Sequence, residues 1–360
     1  MKKSLIKGTV TFAIAMCLSL VLSGSFAFAA EYSDSYFDKS AKKEESQLAI
    51  LSMTASAAAY DETQATEFAK ECGFSGKYTE NAVTKTDNDY VSYFIGHKKV
   101  KNYTVVAVWV RGTAGNYEWI SNFNLGTDDT HEGFSIAEKR LYKAVKKYLK
   151  KYGIKKKVKF WVTGHSRGAA VGNLLAKRLT DSYGAKNVFA YTFATPRVST
   201  LASEKCEKKY KNIRNYINSG DFVTDVPPAE WGYNRYGKDI VFSDTEKMKS
   251  AFSDITGEVY GGFSKSEKEE LTGAFIDYCG DSVEKYYTPR DNGMTPADFC
   301  MNGLAGNLAE DKSAYLYLLT AAATDDQASK ILDLMSGDES SQKFAHAHRP
   351  EAYLAWLMTR

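Results

Sequence analysis

Apolar and polar positions along this chain fall into an alternating order. Short apolar runs are separated by longer stretches in which apolar residues recur every three or four positions. Tyr90 to Gly96 and Tyr103 to Arg111 read as paired strands across the polar turn His97 to Asn102. Val158 to Thr163, Val188 to Phe193 and Ile213 to Ile217 read as further strands, with Asp239 to Phe242 as a last one. Glu44 to Tyr60, Ile136 to Lys151 and Ala169 to Tyr183 have the composition and spacing of helices, and Gly153 closes the second. Strands alternating with helices of this length predict an α/β fold, a mostly parallel central sheet flanked by helices. From Ser243 to Lys343 the texture changes to helical segments with polar joints. There the spacing of Phe252, Ile255, Val259 and Phe263, and the run Ala314 to Ala323, predict helices with one apolar face.

The N-terminus has another character. Lys2, Lys3 and Lys7 precede an almost unbroken apolar stretch, Val10 to Leu22, and Ala27-Phe28-Ala29 offers small residues where signal peptidase reads. Residues 1–29 are therefore expected to be a bacterial-type signal peptide cleaved after Ala29, making the protein secreted. The alternative is an uncleaved segment that anchors it in a membrane. Cys17 follows the bulky Met16, which argues against a lipidated cysteine.

Removing that segment changes the charge. The chain carries a formal +3 and its first 29 residues carry three lysines and no acid, so the mature protein is neutral (3 − 3 = 0). Neutrality argues against nucleic acid as a partner. The exception is Lys139 to Lys159, which is densely basic and reads either as a solvated helix face or as a patch for anionic lipid or wall polymer. Cys72, Cys206, Cys279 and Cys300 remain, and sequence does not choose among their three full pairings, although Cys279 with Cys300 share one region. None stands with histidines at metal-ligand spacing, so neither metal nor cofactor is expected.

The candidate chemistry sits in VKFWVTGHSRGAAV, residues 158 to 171. A bare G-x-S-x-G pattern is weak, but here Ser166 falls between a strand and a helix, where a sharp turn lifts a hydroxyl above the sheet edge. Gly164 and Gly168 let strand and helix backbones pass closely, and the Arg167 N–H after the serine would face a developing oxyanion. A serine needs a base and a group that orients the base. In this architecture both follow it in the order acid, then histidine. His97, His131 and His165 precede Ser166; His165, its neighbour in the turn, should point elsewhere. His346 and His348 remain, and His348 is preferred because it stands in the loop just before a helix opened by Pro350. Asp221 and Asp225 are the acids, with Asp221 preferred as the first beyond its strand and Asp225 read as a turn residue ahead of Pro227-Pro228.

VWVRGT (Val108 to Thr113), VTGHSRGAA (Val162 to Ala170), INSGDFVTDVPP (Ile217 to Pro228) and WGYNRYGKDIVF (Trp231 to Phe242) resemble, in that order, the class 3 lipases, the fungal-type branch of the α/β hydrolases. His131-Glu-Gly-Phe134 resembles the segment that family places before the helix leading to the nucleophile strand. The resemblance spans roughly residues 45 to 242 and the last fifteen. It implies that Thr113 is a second oxyanion donor, and that Asp221 rather than Asp225 is the acid, since it stands six residues before the first proline. It divides the mature chain into an α/β-hydrolase core at 30–242, a helical insertion at 243–343 between acid and histidine, and a C-terminal element at 344–360. Two departures stand out. The loop Ala114 to Glu132 is short and polar where family members often carry a lid, and about 125 residues separate Asp221 from His348. The excess reads as a cap over the site or as a packed addition.

The expected function is hydrolysis of acyl esters, acylglycerols or related lipids among them, through a Ser166–His348–Asp221 triad. Two alternatives stand beside it: a peptidase or thioesterase with the same triad, and an exported surface protein that binds lipid or wall polymer with an idle site.

Overall fold

The structure is a computed structural model and describes residues 30–84, 87, 89–114, 122, 125, 128–273, 276 and 338–360. Its centre is a seven-stranded sheet whose spatial order follows the sequence: β1 (Ser75–Thr79), β2 (Tyr93–Val100), β3 (Tyr103–Val110), β4 (Val158–His165), β5 (Val188–Phe193), β6 (Ile213–Asn218) and β7 (Lys238–Phe242). β1 to β3 pair antiparallel and β3 to β7 pair parallel. The parallel strands β4, β5 and β6 are buried nearly throughout, as strands covered on both faces must be. This is the α/β architecture expected, a mostly parallel central sheet flanked by helices.

Two helical layers cover the sheet. On one face α1 (Ser46–Ala58) and α2 (Glu62–Glu71) pack with Trp109, Trp161, Phe189 and Tyr216. On the other, α3 (Glu132–Lys151) and α4 (Arg167–Tyr183) pack on Val106, Val108, Phe160, Val162 and Ala190. Burying each of the larger of these apolar side chains stabilises the fold by roughly 1.5–3 kcal/mol. Later helices include α5 (Glu246–Thr256), α6 (Asp338–His348) and α7 (Pro350–Thr359). α7 belongs to the first layer, where Tyr353, Leu354 and Leu357 join the same core cluster as α1.

The structure corrects several expectations. β2 continues through His97, Lys98 and Lys99 to Val100, so the turn shrinks to Lys101-Asn102, with Lys101 at φ 48°. The polar alternation of that strand end had looked like a loop. The spacing from Phe252 to Phe263 does not make one helix. α5 stops where Gly257 adopts a left-handed φ of 73° and its N–H donates back to the Ser253 carbonyl, and Val259 beyond it is 83 % exposed. α2 and β1 were not expected at all. The run Ala314 to Ala323, Cys279, Cys300 and the proposed signal peptide lie outside the described residues. Cys72 and Cys206 are free thiols, the first buried, and burial pushes its pKa up to about 12.

Candidate active site

Ser166 stands where β4 ends and α4 begins, at φ 57°, ψ −130°. A non-glycine residue in that region costs about 1–3 kcal/mol, and such strain persists only where the surroundings hold it. Here the Ser166 N–H donates to the Phe193 carbonyl at 3.0 Å, while the Ser166 carbonyl accepts from the amides of Ala169 and Ala170. Both flanking glycines are sterically required: a methyl on Gly164 would strike the Gly168 carbonyl, and one on Gly168 would strike the carbonyls of Val110 and Arg111. The turn therefore pins β4, α4 and the end of β3 against one another. Arg167 opens α4, so its N–H lies at the positive end of that helix. Thr113 stands three residues past β3, on the strand beside the nucleophile strand; it is buried, and its hydroxyl accepts from Asn122 at 3.0 Å.

Three side chains from far apart in the chain meet at this edge. His348 Nε2 is 2.9 Å from Ser166 Oγ, and its Nδ1 is 2.9 Å and 3.1 Å from the two carboxylate oxygens of Asp221. A carboxylate can only accept, so Nδ1 carries the proton and the Nε2 lone pair faces the serine hydroxyl. Asp221 follows β6 and is buried, yet its remaining capacity is filled. Oδ1 accepts from the Val223 amide at 3.0 Å, and Oδ2 accepts from the Tyr353 hydroxyl at 2.7 Å. That hydroxyl in turn accepts from the Asn218 amide at 3.2 Å.

His348 is not in a loop. It is the last residue of α6, one position before Arg349 caps α7. The closing carbonyls of a helix lack intrahelical donors, and a buried helix end must find them elsewhere. Asn218 Nδ2 donates to the Ala347 carbonyl at 2.9 Å, and His165 Nε2 donates to the His348 carbonyl at 2.7 Å. His165 can do so only with its proton on Nε2, leaving Nδ1 to accept from the Tyr60 hydroxyl at 3.0 Å. Burial, reinforced by the adjacent His348, holds the His165 pKa well below the usual histidine range, so it stays neutral. Gly112 is bare because a methyl there would collide with the Tyr60 hydroxyl. The expectation that His165 points away from the serine fits this arrangement; its grip on the base-bearing helix was not anticipated.

The alternates are engaged elsewhere. His346 donates through Nε2 to Glu258 at 2.9 Å and accepts the Gly261 amide through Nδ1 at 3.0 Å, and burial lowers its pKa. Asp225 is no mere turn residue: it pairs with Arg197 at 3.0 Å and Lys268 at 2.5 Å. Burial opposes its ionisation, but the Lys268 hydrogen bond and the neighbouring cations outweigh it and lower its pKa. His131 caps α3, donating through Nε2 to the Asn122 carbonyl, and full burial pushes its pKa down to about 3. Asn218, Tyr353 and Tyr60 are the site residues that sequence reasoning missed. Tyr353 had read as one more apolar position of a helix.

The model of the class 3 lipases, "Lipase (class 3)", matches residues 107–231. That stretch, about a third of the chain, is similar to the class 3 lipases. A secreted mono- and diacylglycerol lipase of Malassezia globosa is 35 % identical over 124 residues, covering 33 % of this chain and 40 % of that protein. The toxin TseL of Vibrio cholerae is 33 % identical over 99 residues, covering 27 % of this chain and 14 % of the toxin. This chain thus spans less than half the length of either relative. Among solved structures, the triacylglyceride lipase of Rhizomucor miehei shares 21 % identity, with 54 % of this chain and 79 % of that one covered at a TM-score of 0.42. The matched segment runs from β3 past Asp221, so it contains Thr113, Ser166 and Asp221 but neither His348 nor Tyr353.

Proposed function

We propose that the protein is a secreted serine ester hydrolase cleaving acyl esters, acylglycerols foremost, through an acyl-enzyme on Ser166. The observation that carries this reading is the unbroken row Ser166 Oγ–His348–Asp221, with 2.9 Å at each joint. His348 Nε2 takes the Ser166 proton as Oγ attacks the ester carbonyl. Asp221 holds the imidazole in the required tautomer and stabilises the cation that forms. The amides of Arg167 and Thr113 stabilise the oxyanion. The alcohol leaves with the proton from Nε2. Water then attacks the acyl carbonyl as it gives a proton to Nε2, and that proton passes to Ser166 Oγ as the acid leaves. The acylglycerol preference is drawn from the Malassezia relative, whose name specifies mono- and diacylglycerols. That relative is named as secreted, which agrees with the charged and apolar N-terminus read as a signal peptide.

A panel of esters, from acetyl esters to long-chain mono-, di- and triacylglycerols, tests the substrate class. Preferred turnover of acylglycerols is expected. Turnover confined to thioesters or peptides would replace the reading with one of its alternatives. Rates compared below and above the micelle threshold report interfacial activation.

In this reading His165 and Asn218 are positioning residues. They seize consecutive carbonyls of α6 and so set where the His348 ring sits over Ser166. Substituting His165→Phe keeps an aromatic ring but removes the hydrogen bonds to the His348 carbonyl and the Tyr60 hydroxyl, and the buried carbonyl alone costs roughly 1–3 kcal/mol. The expected result is a ten- to hundredfold fall in kcat with KM little changed and cooperative thermal unfolding retained. Steady-state kinetics beside a melting curve separate this from simple destabilisation: an unaltered kcat would remove His165 from the positioning role.

A further inference from the structure

The outer face of α3 and the loop after it hold a concentration of charge that ester chemistry leaves unused. From Lys139 to Lys159 the chain carries ten lysines, one arginine and no acid. Two of these cations bind oxygen, Arg140 pairing with Asp87 at 2.6 Å and Lys159 donating to the Phe37 carbonyl, while Lys151 lies over the Tyr152 ring at 5.2 Å from its centroid. The other nine (Lys139, Lys143, Lys146, Lys147, Lys150, Lys151, Lys155, Lys156 and Lys157) are all exposed, and among the described residues none forms an ion pair. Other lysines, Lys98, Lys101, Lys209, Lys249 and Lys268 among them, hold an acid within 3.1 Å, and what sets the nine apart is their density along one short segment.

The nine are arranged, not scattered. Lys139, Lys143, Lys146 and Lys150 recur at intervals of four, three and four, which on a helix makes one stripe about 16 Å long. Phe134, Ala137, Leu141, Val145 and Leu149 occupy the opposite side and are buried against the sheet. Lys147 and Lys151 flank the stripe, and Lys155 to Lys157 extend it. At this end the half-exposed Tyr152 packs at a tilt against Tyr148 and His97, with ring centroids 4.6 Å and 4.8 Å away.

The position of the stripe restricts what it can hold. The Lys157 carbonyl accepts from the Thr104 amide at 3.0 Å, so the basic loop lies where β3 and β4 begin, whereas Ser166 lies where β4 ends. Eight residues of strand separate those ends by about 25 Å. A lipid held at the basic loop is out of reach of Ser166. The stripe also lacks the Leu, Phe or Trp that would insert a helix into a bilayer. What it presents is a row of ammonium groups on long, adaptable stems, which complements a row of anions.

We propose that this face docks the protein on a linear, base-free phosphate polymer that is not its substrate, leaving the catalytic edge facing away and open. Binding is driven by counterion release, so it weakens steeply with salt and is insensitive to occupancy of the active site.

The test uses the full chain and long-chain inorganic polyphosphate as the probe, with affinity followed across a salt series. The wild type is expected to bind, with log affinity falling linearly against log salt. The quadruple variant Lys139→Gln, Lys143→Gln, Lys146→Gln, Lys150→Gln should bind at least tenfold more weakly, with its salt slope reduced by about 3. Turnover of a short soluble ester should be unchanged in that variant. The matching four Lys→Arg changes should retain binding, which separates charge from folding. Equal binding by wild type and the Gln variant would overturn the proposal. So would tighter, stripe-dependent binding to anionic phospholipid vesicles or to duplex DNA than to polyphosphate. Because the readout is binding, it stands apart from the catalytic reading: loss of ester turnover in every form of the protein would sink the latter and leave this result intact.

Discussion

Replacing Ser166 with Ala is expected to lower ester turnover by about 10⁴-fold or more while leaving the fold unchanged. The size follows from the chemistry: without Oγ no acyl-enzyme forms, and only oxyanion stabilisation of a direct water attack survives. The fold should persist because the strained turn is held by backbone contacts, the Ser166 amide on Phe193 and the Ser166 carbonyl under Ala169 and Ala170, all of which an alanine keeps. Alanine does adopt positive φ in this chain, at Ala194 with φ 51°. Steady-state turnover of a soluble nitrophenyl ester, beside a melting curve, measures both halves of the expectation. Turnover within tenfold of wild type would remove Ser166 from the reaction.

Asp221→Asn carries the second large effect, about 10⁴-fold in kcat. At present both carboxylate oxygens accept, taking His348 Nδ1–H, the Val223 amide and the Tyr353 hydroxyl. An amide has only one acceptor oxygen. If its NH₂ faces His348 it selects the tautomer with the proton on Nε2, which cannot take a proton from Ser166. If its oxygen faces His348, the NH₂ must confront a donor, either the Val223 amide or the Tyr353 hydroxyl, which can turn its proton elsewhere only at the cost of its buried partner. Either way the row is broken. The double variant with Ser166→Ala should be no slower than Ser166→Ala alone, because the two groups act as one unit. Additive losses in that pair would mean Asp221 serves the fold rather than the base.

The residues differ in how legible they were. β5 is readable to its ends because Val188 to Phe193 is apolar but for Thr192 and is bounded by turn residues, the signature of a strand buried on both faces. β1 was not, because SGKYT on the sheet edge buries only Tyr78 and carries no alternation to read. α2 hid for a similar reason: Ala65, Phe68 and Ala69 are its only buried residues. The nucleophile turn could be argued from Gly164, Ser166 and Gly168, because local sterics and chemistry meet within five residues. The supports of the base could not. Tyr353 reaches Asp221 across 132 positions, Asn218 reaches Ala347 across 129 and His165 reaches His348 across 183. Each is a polar group whose partner is chosen by tertiary folding, and a tyrosine on an apolar helix face looks alike with or without such a partner. His348 itself was read as a loop residue because Pro350 signals the start of a new helix. The structure places a second helix directly before it, and the chain needs only Arg349 to join them.

The account rests on Ser166 being the atom that takes the acyl group, and covalent trapping tests that directly. After exposure to a fluorophosphonate probe, mass mapping of the digested protein should find one adduct, on the peptide bearing Ser166, in the wild type and none in Ser166→Ala; Asp221→Asn should react far more slowly. An adduct on another residue, or undiminished labelling of Ser166→Ala, would contradict the mechanism at its root.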